Sequence, residues 1–476
     1  MQLRNYQEVI IASARKHFSC GAKSVLVAAP CGAGKTVIFA ELAKLSSAKG
    51  NPVGILVHRD SLLTQASRKL HDCGVEHGII APGYRSRGEM VQVASIQTLV
   101  RRLPRHTFKV LVADEAHHAI SPTYSKIFQA YPDAKIIGVT ATPCRTNGAG
   151  LDAVFQKMVL GPNIRELIDD GYLVEHIPYG PTHALDLSGV GTQAGDFDLK
   201  QLATHMDDPR ITGDAVKKYS EVCPGVPAVA FACNIKHADD IAVAFRAAGY
   251  RAESVDGKMD MNLIRHRIAG LTDGSVQVLA SCNLISEGTD IPDVVAAIML
   301  RPTKSLSLFI QQGGRALRPV YAPGHDLITR SGRIAAIAAS HKPRAIILDH
   351  AANAYRFMMT VDEPVAWSLE GRKKRKKGES IAIALRQCPK CAHTHKTAPK
   401  CPGCGYLYPI APKDPEQVAG EMGEIDKAAL RRAKWKEVAQ ARTIDALIEL
   451  GKKRGYHPGW ATHIMREREA KRDMFR

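Results

Sequence analysis

Nowhere in the 476 residues does an uninterrupted apolar run approach the roughly 18 positions that a bilayer-spanning helix needs. The opening segment, MQLRNYQEVI, has neither the basic start nor the long apolar stretch of a secretory signal. These two absences predict a soluble, cytoplasmic protein with no membrane partner. Negative charge is also short, with 47 Asp+Glu against 65 Lys+Arg and a net charge of +18. The imbalance is uneven, because residues 371–476 carry 25 Lys+Arg and 12 Asp+Glu, a net of +13. A basic tail of this kind points to a polyanionic partner, most simply nucleic acid, with a merely solubilising tail as the alternative. Seven of the eleven cysteines (20, 31, 73, 144, 223, 233 and 282) are scattered and read as reduced, small side chains. The other four are clustered between residues 388 and 404.

The length suits two or three domains, each able to bury its own core. Short Val- and Ile-rich runs at 24–29, 53–57, 91–94, 110–113 and 136–139 alternate with helical or loop segments. That alternation predicts a parallel sheet covered on both faces, with ligands at the C-terminal ends of its strands. The first run leads into Ala29-Pro-Cys-Gly-Ala-Gly-Lys-Thr36, followed by a helix-like segment. Strand, glycine-rich loop, Gly-Lys-Thr and helix is the layout of a phosphate-binding loop, although Ala29 stands where the general pattern has glycine. Gly32, Ala33 and Gly34 would bring backbone N–H groups onto phosphate, Lys35 would reach the terminal phosphates, and Thr36 would offer its hydroxyl to Mg²⁺.

Asp114-Glu-Ala-His117 follows the strand 110–113 directly. An acidic pair there fits the second half of a phosphoryl-transfer site, with Asp114 on the Mg²⁺ shell and Glu115 deprotonating the attacking water. A helix start rich in acids is the structural alternative. His117-His118 is read against as a metal pair, because adjacent residues on a helix do not face each other. Thr140-Ala-Thr-Pro143 closes the next strand, and its threonines could relay phosphate-dependent shifts by hydrogen bonding. Residues 145–205 are glycine-rich and weakly patterned, and their later part reads as a connector. A second strand–helix series at 228–232, 276–280, 294–300 and 345–348 repeats the α/β pattern without a phosphate loop. Arg315 and Arg318, three apart and on one face if helical, could act across a cleft as arginine fingers.

In order, APCGAGKT (29–36), VHRDSLLTQ (57–65), ASIQTL (94–99), DEAH (114–117), TATP (140–143), FACNIKHA (231–238), SEGTDIP (286–292) and QQGGRALR (311–318) resemble the motifs of a superfamily 2 DEAD/DEAH-box helicase. The likeness covers about residues 1–355 and is nearest the bacterial and phage group that includes type III restriction-type motor subunits. It implies an α/β fold of two tandem RecA-like lobes with parallel sheets, binding ATP and Mg²⁺ between them. It also implies that Gln7 reads adenine, and that His117, Thr140, Thr142, Asp290 and Gln311 couple nucleotide state to lobe movement. Arg59, Ser95, Gln97 and Thr98 would contact the nucleic-acid backbone. DNA is favoured over RNA as partner, and no nuclease-like carboxylate cluster is evident. The implied activity is an ATP-dependent helicase or translocase. A nucleic-acid-stimulated ATPase that does not unwind, an RNA helicase, and a binding module switched by nucleotide are the alternatives. Intact Lys35, Glu115, Arg315 and Arg318 argue against the last.

Past the second lobe, Arg372–Lys377 is an unbroken run of six positive charges. Cys388-x₂-Cys391 and Cys401-x₂-Cys404 then have the spacing of a structural zinc ribbon, in which four thiolates close a tetrahedral Zn²⁺ site. Residues 427–470 read as helices broken at Gly451 and at 455–459, with Trp435, Tyr456 and Trp460 either stacking on bases or forming a small core. The expected division is lobe one at 1–178, a linker or insertion at 179–208, lobe two at 209–365, a basic linker at 366–386, a zinc-ribbon-like module at 387–410 and a basic helical tail at 411–476.

Overall fold

The computed structural model describes residues 3–58, 60–84, 88–103, 106–145, 148–181, 187, 189–193, 195–206, 209–282 and 294–371. Beyond these it describes 385–387, 394–396, 400, 405–406, 422–424, 426–454, 460–462, 464–465 and 468.

Ser24–Ala28 (β1), Val53–Val57 (β2), Gly78–Ile80 (β3), Val91–Ser95 (β4), Val110–Asp114 (β5), Lys135–Thr140 (β6) and Lys157–Leu160 (β7) make the first sheet. Its order is β3-β4-β2-β5-β6-β1-β7, and every neighbouring pair is parallel. β1, β2 and β4 are buried at every position, as strands must be when helices cover both faces, and β4 buries Gln92 and Ser95 among its apolar residues. The order matters for function. β5, β6 and β1 are consecutive neighbours, so Asp114–His117, Thr140–Pro143 and Ala29–Thr36 emerge side by side at one edge of the sheet.

Glu175–Pro181 (β8) opens the second sheet, and a short hairpin, Thr192–Gln193 (β9) with Asp196–Phe197 (β10), follows it. Ala228–Phe231 (β11), Ala252–Val255 (β12), Val278–Ser281 (β13), Ala296–Met299 (β14) and Arg344–Asp349 (β15) give the parallel order β12-β13-β11-β14-β15-β8. The two sheets are the two RecA-like lobes. The segment expected to be weakly patterned therefore contains four strands, β7 to β10, and β8 runs across residue 178.

Leu385–Gln387 (β16) pairs antiparallel with Thr394–Lys396 (β17), and Met422–Glu424 (β18) adds an antiparallel strand to the edge at β8. The chain leaving lobe two first returns to lobe one. Leu151 N and Asp152 N donate to Leu369 O at 2.7 and 3.1 Å, and Ala149 bridges Gly371. Gly150 and Gly371 permit this approach, since a Cβ on either would run into the other segment's backbone. Leu369 packs against a core of lobe one, while Val365 and Trp367 pack against the core shared by lobe two and the phosphate loop.

The helices Lys427–Gln440 and Ile444–Arg454 enclose a small core of Val438, Ala441, Leu447, Leu450, Ala461 and Ile464. The second helix runs through Gly451, so the expected break there is absent; packing of Leu447 and Leu450 outweighs a glycine penalty of about 1 kcal/mol. Among the described residues no helix is long and apolar enough to cross a membrane.

Candidate active site between the two lobes

The phosphate loop owes its shape to two left-handed glycines, Gly32 at φ +84° and Gly34 at φ +74°. Gly34 is also the N-cap of the helix Lys35–Ser47, so the loop ends on a helix N-terminus, where the backbone dipole favours an anion. Ala29 and Ala33 are buried in the apolar cluster that continues into lobe two through Ala316 and Leu317. That packing answers why an alanine can open the loop: the position is core. Lys35 Nζ donates to Pro30 O at 3.3 Å, curling back over the loop. Gln7 braces the same turn, donating to Ala33 O at 3.0 Å and accepting from Arg4 N at 3.0 Å.

On the neighbouring strand, burial raises the Asp114 carboxyl to about 6, helped by the adjacent Glu115 charge and opposed by Lys35. Glu115 sits at φ +47°, a left-handed conformation that a non-glycine residue adopts only under constraint. Its Oε2 lies 3.4 Å from His117 Nδ1, which in turn is 3.2 Å from Thr140 Oγ1. Thr140 gives its one hydroxyl proton to Thr142 O (3.1 Å), so the shared proton in the His117 contact resides on Nδ1. Thr142 Oγ1 then accepts from Gln311 Nε2 of lobe two at 3.1 Å. A polar path thus runs from Glu115 to the other lobe through four residues singled out in the sequence. Buried Cys144 and Ser307 meet beside it, Sγ to Oγ at 3.2 Å.

The arginines arrive differently from expectation. The helix Leu306–Gly314 stops before them: Arg315 is its C-cap and Arg318 lies beyond, so they do not share a regular helical face. Gly313-Gly314 weakens the helix, and Pro319 disfavours helical backbone at Arg318. Gly314 lies so close to Cys31 of the phosphate loop that a Cβ there would come within 3.2 Å of the Cys31 Cβ. Arg315 is 4% exposed, and burial lowers the Arg318 guanidinium from its ordinary value, opposed by the neighbouring Cys31 thiol.

Ser95 and Thr98 are buried, Ser95 donates to Gln97 Oε1 at 2.9 Å, and exposed Gln97 donates to His58 O at 3.0 Å. Arg59, Asp290, the run 372–377, Cys388, Cys391, Cys401, Cys404 and Tyr456 lie outside the described residues. Trp460 packs on the small tail core, while Trp435 is 65% exposed. The rings of His117 and His118 do lie together, with centroids 4.1 Å apart, in a single 3₁₀ turn. Among the described residues the one grouping with metal-ligand geometry is Glu175, His176 and Asp362. Arg165 Nη1 already contacts both carboxylates at 2.9 and 3.2 Å, so this cluster is an ion-paired joint rather than a metal centre.

Sequence reasoning missed a stack behind the loop. Tyr172 lies between the guanidiniums of Arg4 and Arg333, whose Cζ atoms are 4.3 and 4.0 Å from its ring centroid. Tyr6 meets it edge-on at 5.5 Å and donates to Ala33 O. The only signal was Arg4 and Tyr6 just ahead of Gln7 in LRNYQ, and their partner is 166 residues from Tyr6 in sequence.

Both lobes are similar to known proteins. A family model described as "Type III restriction enzyme, res subunit" matches residues 1–145, and "Helicase conserved C-terminal domain" matches 215–320. A 51.5 kDa protein of a Lactococcus phage is 30% identical over 369 residues, covering 77% of this chain and 74% of that one. The Saccharomyces cerevisiae protein IRC3, named as a candidate ATP-dependent helicase, is 29% identical over 357 residues, or 68% of this chain and 50% of that one. This chain thus spans half the length of the yeast protein. Among solved structures, a fragment of a candidate HsdR subunit of a type I restriction enzyme from Vibrio vulnificus superposes with a TM-score of 0.56 at 20% identity. It covers 74% of this chain and 65% of the fragment.

Proposed function

The chain belongs to the superfamily 2 helicases, whose members hydrolyse ATP, and on that premise we propose that it is an ATP-dependent helicase or translocase acting on DNA. The observation that carries the reading is the polar path from Glu115, in charge contact with His117, through the hydrogen bonds of His117, Thr140 and Thr142 to Gln311. It gives a nucleotide site on one lobe a direct handle on the other. The restriction-subunit match over lobe one supports DNA as the substrate.

The residues present suit a nucleotide and a divalent cation. Two left-handed glycines and a helix N-terminus form an anion cradle, and the raised Asp114 carboxyl is a group that a cation would return to its ionised form. Gly32–Thr36 and Asp114 would hold ATP with Mg²⁺, which would supply the phosphoanhydride bond and the divalent charge. Glu115, fixed by its backbone and by His117, accepts a proton from water. Arg315 and Arg318 bring fixed positive charge to the cleft from the second lobe, where low dielectric strengthens it. Gln311 holds the lobes in register, so loss of charge in the cleft loosens that contact and moves one lobe against the other. Gln7 braces the loop through Ala33 O, and its amide would be the group that reads adenine.

For the tail we infer a structural Zn²⁺ held by Cys388, Cys391, Cys401 and Cys404, supported by their paired C-x₂-C spacing. The central experiment is single-turnover ATP hydrolysis by Glu115→Gln together with strand displacement on DNA and RNA duplexes. A loss of about 10²-fold or more in hydrolysis is expected for a general base. Unchanged hydrolysis would sink the assignment, and DNA-stimulated turnover without strand displacement would select translocation over unwinding.

A further inference from the structure

Asp196, on the second strand of the β9–β10 hairpin, is buried and fully engaged. It accepts from Thr303 Oγ1 (2.8 Å), Lys304 N (2.6 Å) and Phe197 N (2.9 Å), and pairs with Arg301 Nη2 at 3.5 Å. These contacts pin the hairpin to residues 301–304, which follow β14. Asn353, beyond the end of β15, holds the same loop by accepting from Thr303 N and donating to Arg301 O. The hairpin therefore caps the C-terminal edge of the second sheet, the edge at which open parallel sheets take their ligands.

The next residue, Phe197, carries an unusual load. Lys304 Nζ lies 4.4 Å from its ring centroid and Arg356 Cζ lies 5.2 Å from it. Among the described residues neither cation has a carboxylate at ion-pair distance, because Asp196 uses its oxygens on Arg301, Thr303 and backbone N–H groups. Lys304 hydrogen-bonds Thr192 Oγ1 instead. Desolvation lowers the Lys304 ammonium from the ordinary lysine value; Asp196 opposes the shift and Arg356 adds to it. Thr192, Gln193 and Lys304 are all exposed. Arg356 is half-buried and spends its Nη1 on Asn353 Oδ1 at 2.7 Å, so it adds positive charge behind the ring, while exposed Lys304 beside a hydroxyl and an amide is the donor set that phosphodiester oxygens take.

The position of Lys304 in the chain gives this surface a consequence. Ser305, immediately after it, is the N-cap of the helix Leu306–Gly314 and accepts from Leu308 N at 3.3 Å. The same helix carries Gln311 and ends on Arg315. One short rigid element thus joins the hairpin to the nucleotide cleft.

We propose that Lys304 and Arg356, together with Thr192 and Gln193 of the hairpin, bind the nucleic-acid backbone and report its presence to the cleft through the helix Leu306–Gly314. The proposal rests on the helicase or translocase reading above and extends it to a contact surface outside the family motifs.

The test uses the whole 476-residue chain, a fluorescein-labelled single-stranded DNA oligonucleotide, and two readouts: affinity as a function of KCl, and ATPase at saturating DNA. Lys304→Ala should reduce the slope of log affinity against log salt by about 0.7, the value of one phosphate contact on a single strand. It should also lower the DNA-stimulated ATPase several-fold even when DNA is saturating, and Lys304→Arg should restore both. Asp196→Asn, which keeps Lys304 but frees the hairpin, should lose stimulation with a smaller change in slope. An unchanged slope and unchanged stimulation in Lys304→Ala, with an unaltered melting temperature, would overturn the proposal. If the wild-type protein shows no DNA-stimulated ATPase, the helicase reading fails. The salt slope of Lys304→Ala then decides the surface on its own, and no change in it rejects the contact.

Discussion

Gln311 Nε2 donates to Thr142 Oγ1 at 3.1 Å, joining the lobes across 169 residues of chain. Both side chains are buried, and Thr142 is linked in turn through Thr140 and His117 to Glu115. A neutral hydrogen bond of this kind contributes a net of about 1 kcal/mol, enough to bias a two-state closure without locking it.

That balance leads to the first prediction. Gln311→Ala and Thr142→Val should each slow ATP turnover, and the double variant should be little worse than either alone. A double-mutant cycle on kcat, with inter-lobe fluorescence transfer as the structural readout, should give a coupling of about 1 kcal/mol. Strictly additive effects would show that the bond does not join the two sites.

Asp114 supplies a pH prediction. Its folded pKa is raised above the unfolded value of 3.8 to about 6, so the native state binds the extra proton between those values. Stability without nucleotide should therefore fall as pH rises from about 4 to 6 and then level off, as far as this group contributes. Asp114→Asn should flatten that part of the profile and raise the melting temperature at pH 7, while abolishing the stabilisation that Mg²⁺ with nucleotide provides. Thermal melts at pH 5 and pH 8, with and without Mg²⁺-ATP, check both halves.

The return of residues 369–371 to lobe one depends on the absence of side chains at Gly150 and Gly371. Gly150→Val should cost about 1–3 kcal/mol, the usual range for forced overpacking, because its Cβ would meet the backbone of Leu369 and Glu370. Hydrogen exchange at the Leu151 and Asp152 amides, both bonded to Leu369 O, should accelerate in step. Protection at those amides equal to wild type would show that the contact is incidental.

Metal analysis tests the tail. One zinc per chain is expected, released by chelator or by Cys401→Ser, with ATPase in the absence of nucleic acid retained because the cleft does not use it. A chain that carries no zinc when purified under reducing conditions would remove the ribbon assignment.

Much of the lobe architecture was legible because parallel strands buried on both faces are built on continuous apolar runs, and 25–28 of β1, 53–57 of β2 and 110–113 of β5 are such runs. β8 was not, since Glu175-His-Ile-Pro-Tyr-Gly-Pro alternates and carries two prolines, features that belong to a strand near a sheet edge. Nor was the hairpin, whose two-residue strands have no periodicity to read and are held by one buried carboxylate.

Within the site the same division holds. The sequence alone determined the chemical inventory of the cleft: left-handed glycines before Lys35, the acidic pair after β5, and the arginines downstream, because each is set by local backbone geometry or charge type. It also located the basic excess beyond residue 371. Only the tertiary structure decided which groups touch. Hydrogen-bond partners far apart in sequence leave no periodic trace, so the path through His117, Thr140, Thr142 and Gln311, the pinning of Phe197 between Lys304 and Arg356, and the Gly150–Gly371 contact became visible only once the chain had folded.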